Sequence, residues 1–231
     1  MSYKVIIFDL DNTLLNFELC ERQAILGALK VCGISLDLHG INETSFLQVY
    51  ETYNSKYWSQ RETFSPDELI EMSYRDTFAH LDIQTDKSSN ISQSFWHIFN
   101  NSAVMEPDVN EVLNALARSY RLAVITNGFV SSQIPRMQAA GIEHFFEEIV
   151  VSEAIGFAKP PPEIFHHALS KLDLTPAEVL YVGDSLTHDY AGAMQVNIDF
   201  CYYNRKNQNL IQEVQPKFMI CELLKLVELV N

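Results

Sequence analysis

Val5-Ile6-Ile7-Phe8-Asp9-Leu10-Asp11-Asn12-Thr13-Leu14 is a run of four apolar residues that stops in two carboxylates one residue apart. The apolar run is too short for a helix and does not alternate with polar residues, so it reads as a strand covered on both faces, as in a parallel sheet. Its carboxyl end is where open α/β sheets bind ligands. Asp and Asn also end strands simply by making turns, so this stretch alone does not establish a site. The pattern recurs, however. Leu122-Ala123-Val124-Ile125 runs into Thr126-Asn127-Gly128, and Val179-Leu180-Tyr181-Val182 runs into Gly183-Asp184-Ser185, with Asp189 five residues beyond Asp184. Three strand ends thus carry groups suited to one pocket, with Asp9, Thr126 and Asp184 in it.

Two further strands are expected at Glu148 to Val151 and Phe200 to Tyr203. From residue 108 onward the strands alternate with helical patterns at Asp108 to Ser119, Ser131 to Ala140 and Glu163 to Lys171. Alternation of this kind predicts a parallel α/β sheet covered on both faces. Between the first strand and Pro107 the chain changes character: it is rich in Tyr, Phe and Trp and nearly free of strand runs. Helices are expected there at Glu18 to Val31, Glu43 to Ser59, Ser65 to Ala79 and Asn90 to Asn101, the third announced by Ser65-Pro66-Asp67-Glu68. This predicts a discontinuous core, residues 1–15 and 103–231, interrupted by an all-helical insertion over 16–102. Ile220 to Val230 is expected to close the chain as an amphipathic helix.

The 231 residues are 47% hydrophobic and 20% charged, which excludes a disordered chain. The net charge of −14 leaves no broad basic surface, so duplex DNA or RNA is not an expected partner. Small anions are not excluded, because a cation or a helix N-terminus can invert the local field. Cys20, Cys32, Cys201 and Cys221 show no metal-ligand spacing and sit among apolar residues, and are expected to be buried reduced thiols. There is no signal-peptide pattern and no apolar stretch of membrane-spanning length. A cytoplasmic protein with no membrane partner is the expectation.

Taken together, Asp9-Leu10-Asp11-Asn12-Thr13, Thr126-Asn127-Gly128, Lys159, and Gly183-Asp184-Ser185 with Asp189 resemble, in order and spacing, the four motifs of the haloacid dehalogenase superfamily. The resemblance implies a Rossmann-like sheet ordered 5-4-1-2-3 with a helical cap inserted after the first motif. It further implies that Asp9 is a nucleophile forming an aspartyl-phosphate, and that Asp11 serves as acid and then base. Thr126, Asn127, Gly128 and Lys159 would hold the phosphate. Mg²⁺ would sit on Asp9, the backbone carbonyl of Asp11 and Asp184, with Asp189 behind them. Physical chemistry agrees with these roles: phosphate dianions repel nucleophiles, so charge must be neutralised before attack. A hydroxyl and backbone amides at the start of a helix suit an anion. Lys159, before Pro160-Pro161-Pro162, is expected to steady Asp9, and its loss to Ala to remove activity without a comparable loss of stability.

The superfamily includes dehalogenases and phosphomutases. The second acid, Asp11, and the magnesium set favour phosphoryl transfer over dehalogenation, whereas a mutase would share every core motif. Ile125-Thr126-Asn127-Gly128-Phe129 and Val151-Ser152-Glu153-Ala154-Ile155-Gly156-Phe157-Ala158-Lys159-Pro160 resemble the helical-capped branch that dephosphorylates pyrimidine nucleoside 5′-monophosphates. A small phosphorylated metabolite is therefore the expected partner, with sugar phosphates, a sialic-acid-type phosphate or a phosphate-binding module without turnover as alternatives. His166 and His167 diverge around a helix and make a poor metal pair. Trp58, Arg61, Phe95 and Trp96 are candidates either for substrate contact or for the interior of the insertion.

Overall fold

The computed structural model describes residues 3–85, 87–209 and 214–230. Residues 1, 2 and 231, which the expected core segments include, lie outside them. The chain divides into two compact units, one formed by Met1–Phe17 with Ala103–Asn231 and the other by Glu18–Ser102.

The first unit is built on a parallel sheet. Its strands are β1 (Val5–Phe8), β2 (Arg121–Thr126), β3 (Glu148–Val151), β4 (Val179–Gly183), β5 (Asp199–Tyr203) and β6 (Phe218–Ile220). They lie in the order β3-β2-β1-β4-β5-β6. This is the order implied by the resemblance, extended by one edge strand. Ile220 therefore ends a strand and does not open the terminal helix, which starts at Leu224. β1 lies at the centre, with Phe8 beside Val124 of β2 and Val182 of β4. Because chain order reverses on either side of β1, the tips of β1, β2 and β4 are neighbours where a crevice forms.

All four β1 side chains are fully buried, each worth roughly 1.5–3 kcal/mol relative to exposure. The pleat sends them to two separate apolar layers. Ile6 and Phe8 join Leu122, Val124, Leu180 and Val182 against α5 (Val109–Leu116), α6 (Val130–Ala139) and α10 (Leu224–Val230). Val5 and Ile7 join Ala123, Ile125, Val179 and Tyr181 against α8 (Pro162–Leu172) and α9 (Ala191–Gln195). Helices on both faces are what an unbroken apolar strand requires. The short α7 (Ser152–Ile155) follows β3 directly, and a π-helical turn at Leu186–Tyr190 leads into α9.

The second unit holds α2 (Glu43–Trp58), α3 (Pro66–His80), α4 (Ser88–Asn101) and nearly all of α1 (Phe17–Val31). Ser65 and Glu68 form the reciprocal cap that the sequence announces, with Pro66 in the first turn. Its interior is aromatic: Tyr50 and Tyr74 lie 4.8 Å apart, and Phe95 stacks on Phe99 at 5.5 Å. Phe95, with Trp96 edge-on against it, belongs to this packing. No disulfide joins the cysteines. Cys20 and Cys201 are buried, Cys32 is half-buried, and Cys221, contrary to expectation, is exposed. Among the described residues no helix is long and apolar enough to cross a membrane.

Candidate active site

At the end of β1 the chain turns back on itself. The Leu10 carbonyl accepts the N–H groups of Leu14 and Leu15 at 2.8 and 2.9 Å, and Asn12 adopts a left-handed φ of 61°. Asn tolerates that conformation better than most residues. Before the turn, the Asp9 N–H donates to the Val182 carbonyl at 2.8 Å, which fixes Asp9 beside the tip of β4.

Lys159 is the centre of the site. Only 4% of it is exposed, and its ammonium donates to Asp9 Oδ1 at 2.5 Å, Asp189 Oδ1 at 2.7 Å, the Tyr181 hydroxyl at 2.9 Å and the Ile125 carbonyl at 3.1 Å. Its backbone is held as firmly. The Asn127 side chain accepts the Lys159 N–H at 2.8 Å and donates to the Lys159 carbonyl at 3.1 Å. Burial acts against the ammonium, but the carboxylates of Asp189 and Asp9 outweigh it, and the Lys159 pKa stands raised. A buried cation between two acids is structural as well as chemical. This burial between two acids argues against the expectation that losing Lys159 removes activity without a comparable loss of stability.

Asp189 is fully buried and committed: Oδ1 accepts from Lys159 and from the Tyr181 hydroxyl at 2.8 Å, and Oδ2 accepts the Ser185 N–H at 3.0 Å. The π-helical turn delivers it. Gly183 makes room, since a Cβ there would lie 2.6 Å from the Asp189 Cγ. Asp184 is half-buried, and no hydrogen bond or ion pair from a described residue reaches it. Burial, and then the Asp189 carboxylate, push its carboxyl up to about 7. Burial also raises Asp9; Lys159 pulls it back, and Asp189 and Asp184 push it up again.

Carboxylate oxygens of Asp9, Asp184 and Asp189 lie within 4.8 Å of one another. Three acids face one bonded ammonium, with Arg205 acting on Asp184 by charge alone, and leave an excess of negative charge in a partly dry pocket. Hard oxygen donors and unneutralised charge are the chemistry of a Mg²⁺ or Ca²⁺ site. Because Asp189 is engaged by three donors, Asp9 and Asp184 are the carboxylates suited to hold a cation.

Thr126, the last residue of β2, is buried. Gly128, at φ 140°, donates its N–H to Ser152 Oγ at 3.0 Å, and the first amide of α6, on Val130, donates to Glu153 Oε2 at 2.8 Å. The expectation of open amides for an anion is therefore corrected at Gly128, whose donor Ser152 takes up, while the Asn127 side chain serves Lys159. Two residues that sequence reasoning missed complete the site. Gln133 donates from Nε2 to Asp11 Oδ2 and to Thr126 Oγ1, both at 2.8 Å, and Arg136 pairs with Asp11 Oδ1 at 2.6 Å. The signal was present: both share a helical face with buried Met137.

A family model described as haloacid dehalogenase-like hydrolase matches residues 3–197. YfnB of Bacillus subtilis, named as a HAD-hydrolase, is 25% identical over 99% of this chain and 96% of its own. Its crystal structure, with magnesium bound, superposes with a TM-score of 0.84 at 24% identity and full coverage of both chains, and so shares the fold. The pyrimidine 5′-nucleotidase PynA of Streptococcus pneumoniae is 27% identical over 95% of this chain and 92% of its own. The N-acylneuraminate-9-phosphatase of Rattus norvegicus is 24% identical over 99% and 94%. With the family match running from before β1 to beyond β4 and the acidic strand tips, this chain belongs to the haloacid dehalogenase-like hydrolases.

Proposed function

We propose that the protein is a Mg²⁺-dependent phosphomonoester hydrolase that works through an aspartyl-phosphate on Asp9, with nucleoside 5′-monophosphates, pyrimidine preferred, as its substrate class. One observation carries the reading: Asp9, at the tip of the central strand, is held by a buried lysine and faces an acid, Asp184, with room for a cation. Asp9, Asp184 and the Asp11 carbonyl would hold the Mg²⁺, which supplies positive charge that lets a carboxylate approach a phosphate dianion.

In the first step an Asp9 oxygen attacks phosphorus. The ester P–O bond breaks, and Asp11 gives its proton to the departing oxygen. Lys159 and the Thr126 hydroxyl stabilise the charge on the transferred group. In the second step Asp11 takes a proton from water, whose oxygen attacks phosphorus. The acyl-phosphate bond breaks, releasing inorganic phosphate and restoring the Asp9 carboxylate. Asp189 and Asn127 act through Lys159 by fixing its two ends, and Gly128 lets the chain turn between Thr126 and α6. The helical insertion, residues 16–102, is read as a cap, and the setting as cytoplasmic.

The nucleotide preference is supported by the similarity to PynA. The comparable similarity to an N-acylneuraminate-9-phosphatase favours an acidic sugar phosphate as the second reading. Phosphate release from a panel of nucleoside monophosphates and sugar phosphates, with Mg²⁺ or EDTA and with Asp9→Asn as control, tests both. Magnesium-dependent release selective for pyrimidine 5′-monophosphates is the expected result. Release only from sugar phosphates would favour the second reading, and no release by folded protein would sink the hydrolase reading.

A further inference from the structure

The Asp11 carboxylate faces two residues one turn apart on α6, one through a hydrogen bond and the other through an ion pair. Gln133 Nε2 lies 2.8 Å from Asp11 Oδ2, and Arg136 Nη1 lies 2.6 Å from Asp11 Oδ1. Gln133 Oε1 accepts from the same Arg136 nitrogen at 2.8 Å, which closes a ring and fixes which way the amide faces. Both residues are interior, with Gln133 3% and Arg136 0% exposed. Ordering two such side chains forfeits much rotamer freedom, so their placement is not a default of helix packing.

Gln133 also reaches the phosphate side of the site. Its Nε2 lies 2.8 Å from Thr126 Oγ1 and 3.0 Å from the Asn127 carbonyl. A hydroxyl whose lone pair is occupied by an amide donor must send its own hydrogen elsewhere. The acceptor Thr126 now has is the Asn127 carbonyl at a long 3.3 Å. A phosphate oxygen would be a better one.

We infer that Gln133 and Arg136 are positioning residues that lock Asp11 for proton delivery to the leaving oxygen and, through Thr126, tie it to the bound phosphate. The inference rests on the phosphoryl-transfer reading above. Neither residue touches the substrate; each acts through Asp11 or Thr126.

The test compares two leaving groups. An alkyl phosphate such as a nucleoside monophosphate must expel an alkoxide and needs a proton, whereas 4-nitrophenyl phosphate expels a stable phenolate and does not. The quantity is kcat/KM, which ends at the first irreversible step and so excludes water attack on the phosphoenzyme. Gln133→Met keeps the length of the side chain and removes its donors. Gln133→Glu keeps an oxygen for Arg136 and serves as the second variant if the first does not fold. In the folded variant, kcat/KM should fall about 10²-fold for the alkyl phosphate and less than about fivefold for the aryl one, in line with the usual contribution of a general acid. In an Asp11→Asn background the same change should cost less than about threefold on the alkyl phosphate, because the two residues act as one unit. Equal losses on both substrates, or a full second loss in the Asp11→Asn background, would overturn the inference while leaving the hydrolase reading intact. A wild-type protein that releases phosphate from neither substrate would overturn both.

Discussion

Replacing Asp184 with Asn should make the protein more stable at alkaline pH while removing its activity. Burial, and then the Asp189 carboxylate, move the Asp184 carboxyl from an ordinary 3.8 up to about 7 in the folded state. Between those two values the native protein keeps a proton that the unfolded chain has lost. The stability linked to this group is therefore complete below the unfolded value and is lost as pH rises through the folded one. At roughly 1.4 kcal/mol per tenfold change in acidity, ionised Asp184 costs the fold at most about 4 kcal/mol above pH 7. Solvent reaching a half-buried carboxylate brings this nearer to about 2 kcal/mol. Asn has the same size and cannot ionise. Asp184→Asn should thus gain ~2–4 kcal/mol at about pH 8 and almost nothing at about pH 4. Urea unfolding in EDTA at the two pH values reads the difference. Added Mg²⁺ should raise the midpoint of the wild type and leave that of the variant in place. A variant no more stable than wild type at alkaline pH, or a gain that persists undiminished in acid, would refute the electrostatic account of this pocket.

Lys159→Met should lose both turnover and stability, the latter by about 3–5 kcal/mol, because two buried carboxylates are left facing each other; denaturation that matches wild type would show that the ammonium is not structural. In Gly183→Ala the new Cβ must push Asp189 off Lys159, at a cost of about 1–3 kcal/mol. Its melting temperature and its phosphate release should fall together. Tyr181→Phe removes a hydroxyl that accepts from Lys159 and donates to Asp189. A stability loss of about 1–2 kcal/mol is expected by chemical denaturation, and a loss below a few tenths would mean that the phenol contributes little.

The site was legible where backbone and side chain say the same thing. β1, β2 and β4 are apolar runs that end in Asp9, Thr126 and Gly183-Asp184, so strand, tip and chemistry were read in one pass. β6 escaped because three residues at a sheet edge, one of them half-exposed Met219, carry too little alternation to separate from the helix that follows. Gln133 and Arg136 escaped for a different reason. Long polar side chains on a helix are ordinarily solvated, and only tertiary structure shows that these two point inward at Asp11. Lys159 was found by motif, but its burial was not, since a lysine followed by three prolines reads as a surface loop. Gly128 shows the converse: its N–H looked open in sequence and is claimed by Ser152, whose position depends on β3 packing beside β2.

The central strand is also the first of the six described strands to be synthesised. Val5 pairs with Arg121 on one side and Val179 on the other, so β1 leaves the ribosome long before either neighbour exists. Lengthening a loop costs little at equilibrium, since closure entropy grows only with the logarithm of length. Kinetically the separation matters, because distant parallel pairing is slow and leaves apolar segments exposed meanwhile. The helical unit, Glu18–Ser102, is complete in the chain before any other strand of the sheet is made. The nucleophile candidate is made before the other five strands, yet its surroundings are finished only when β4 brings Asp184 and Asp189 to its side.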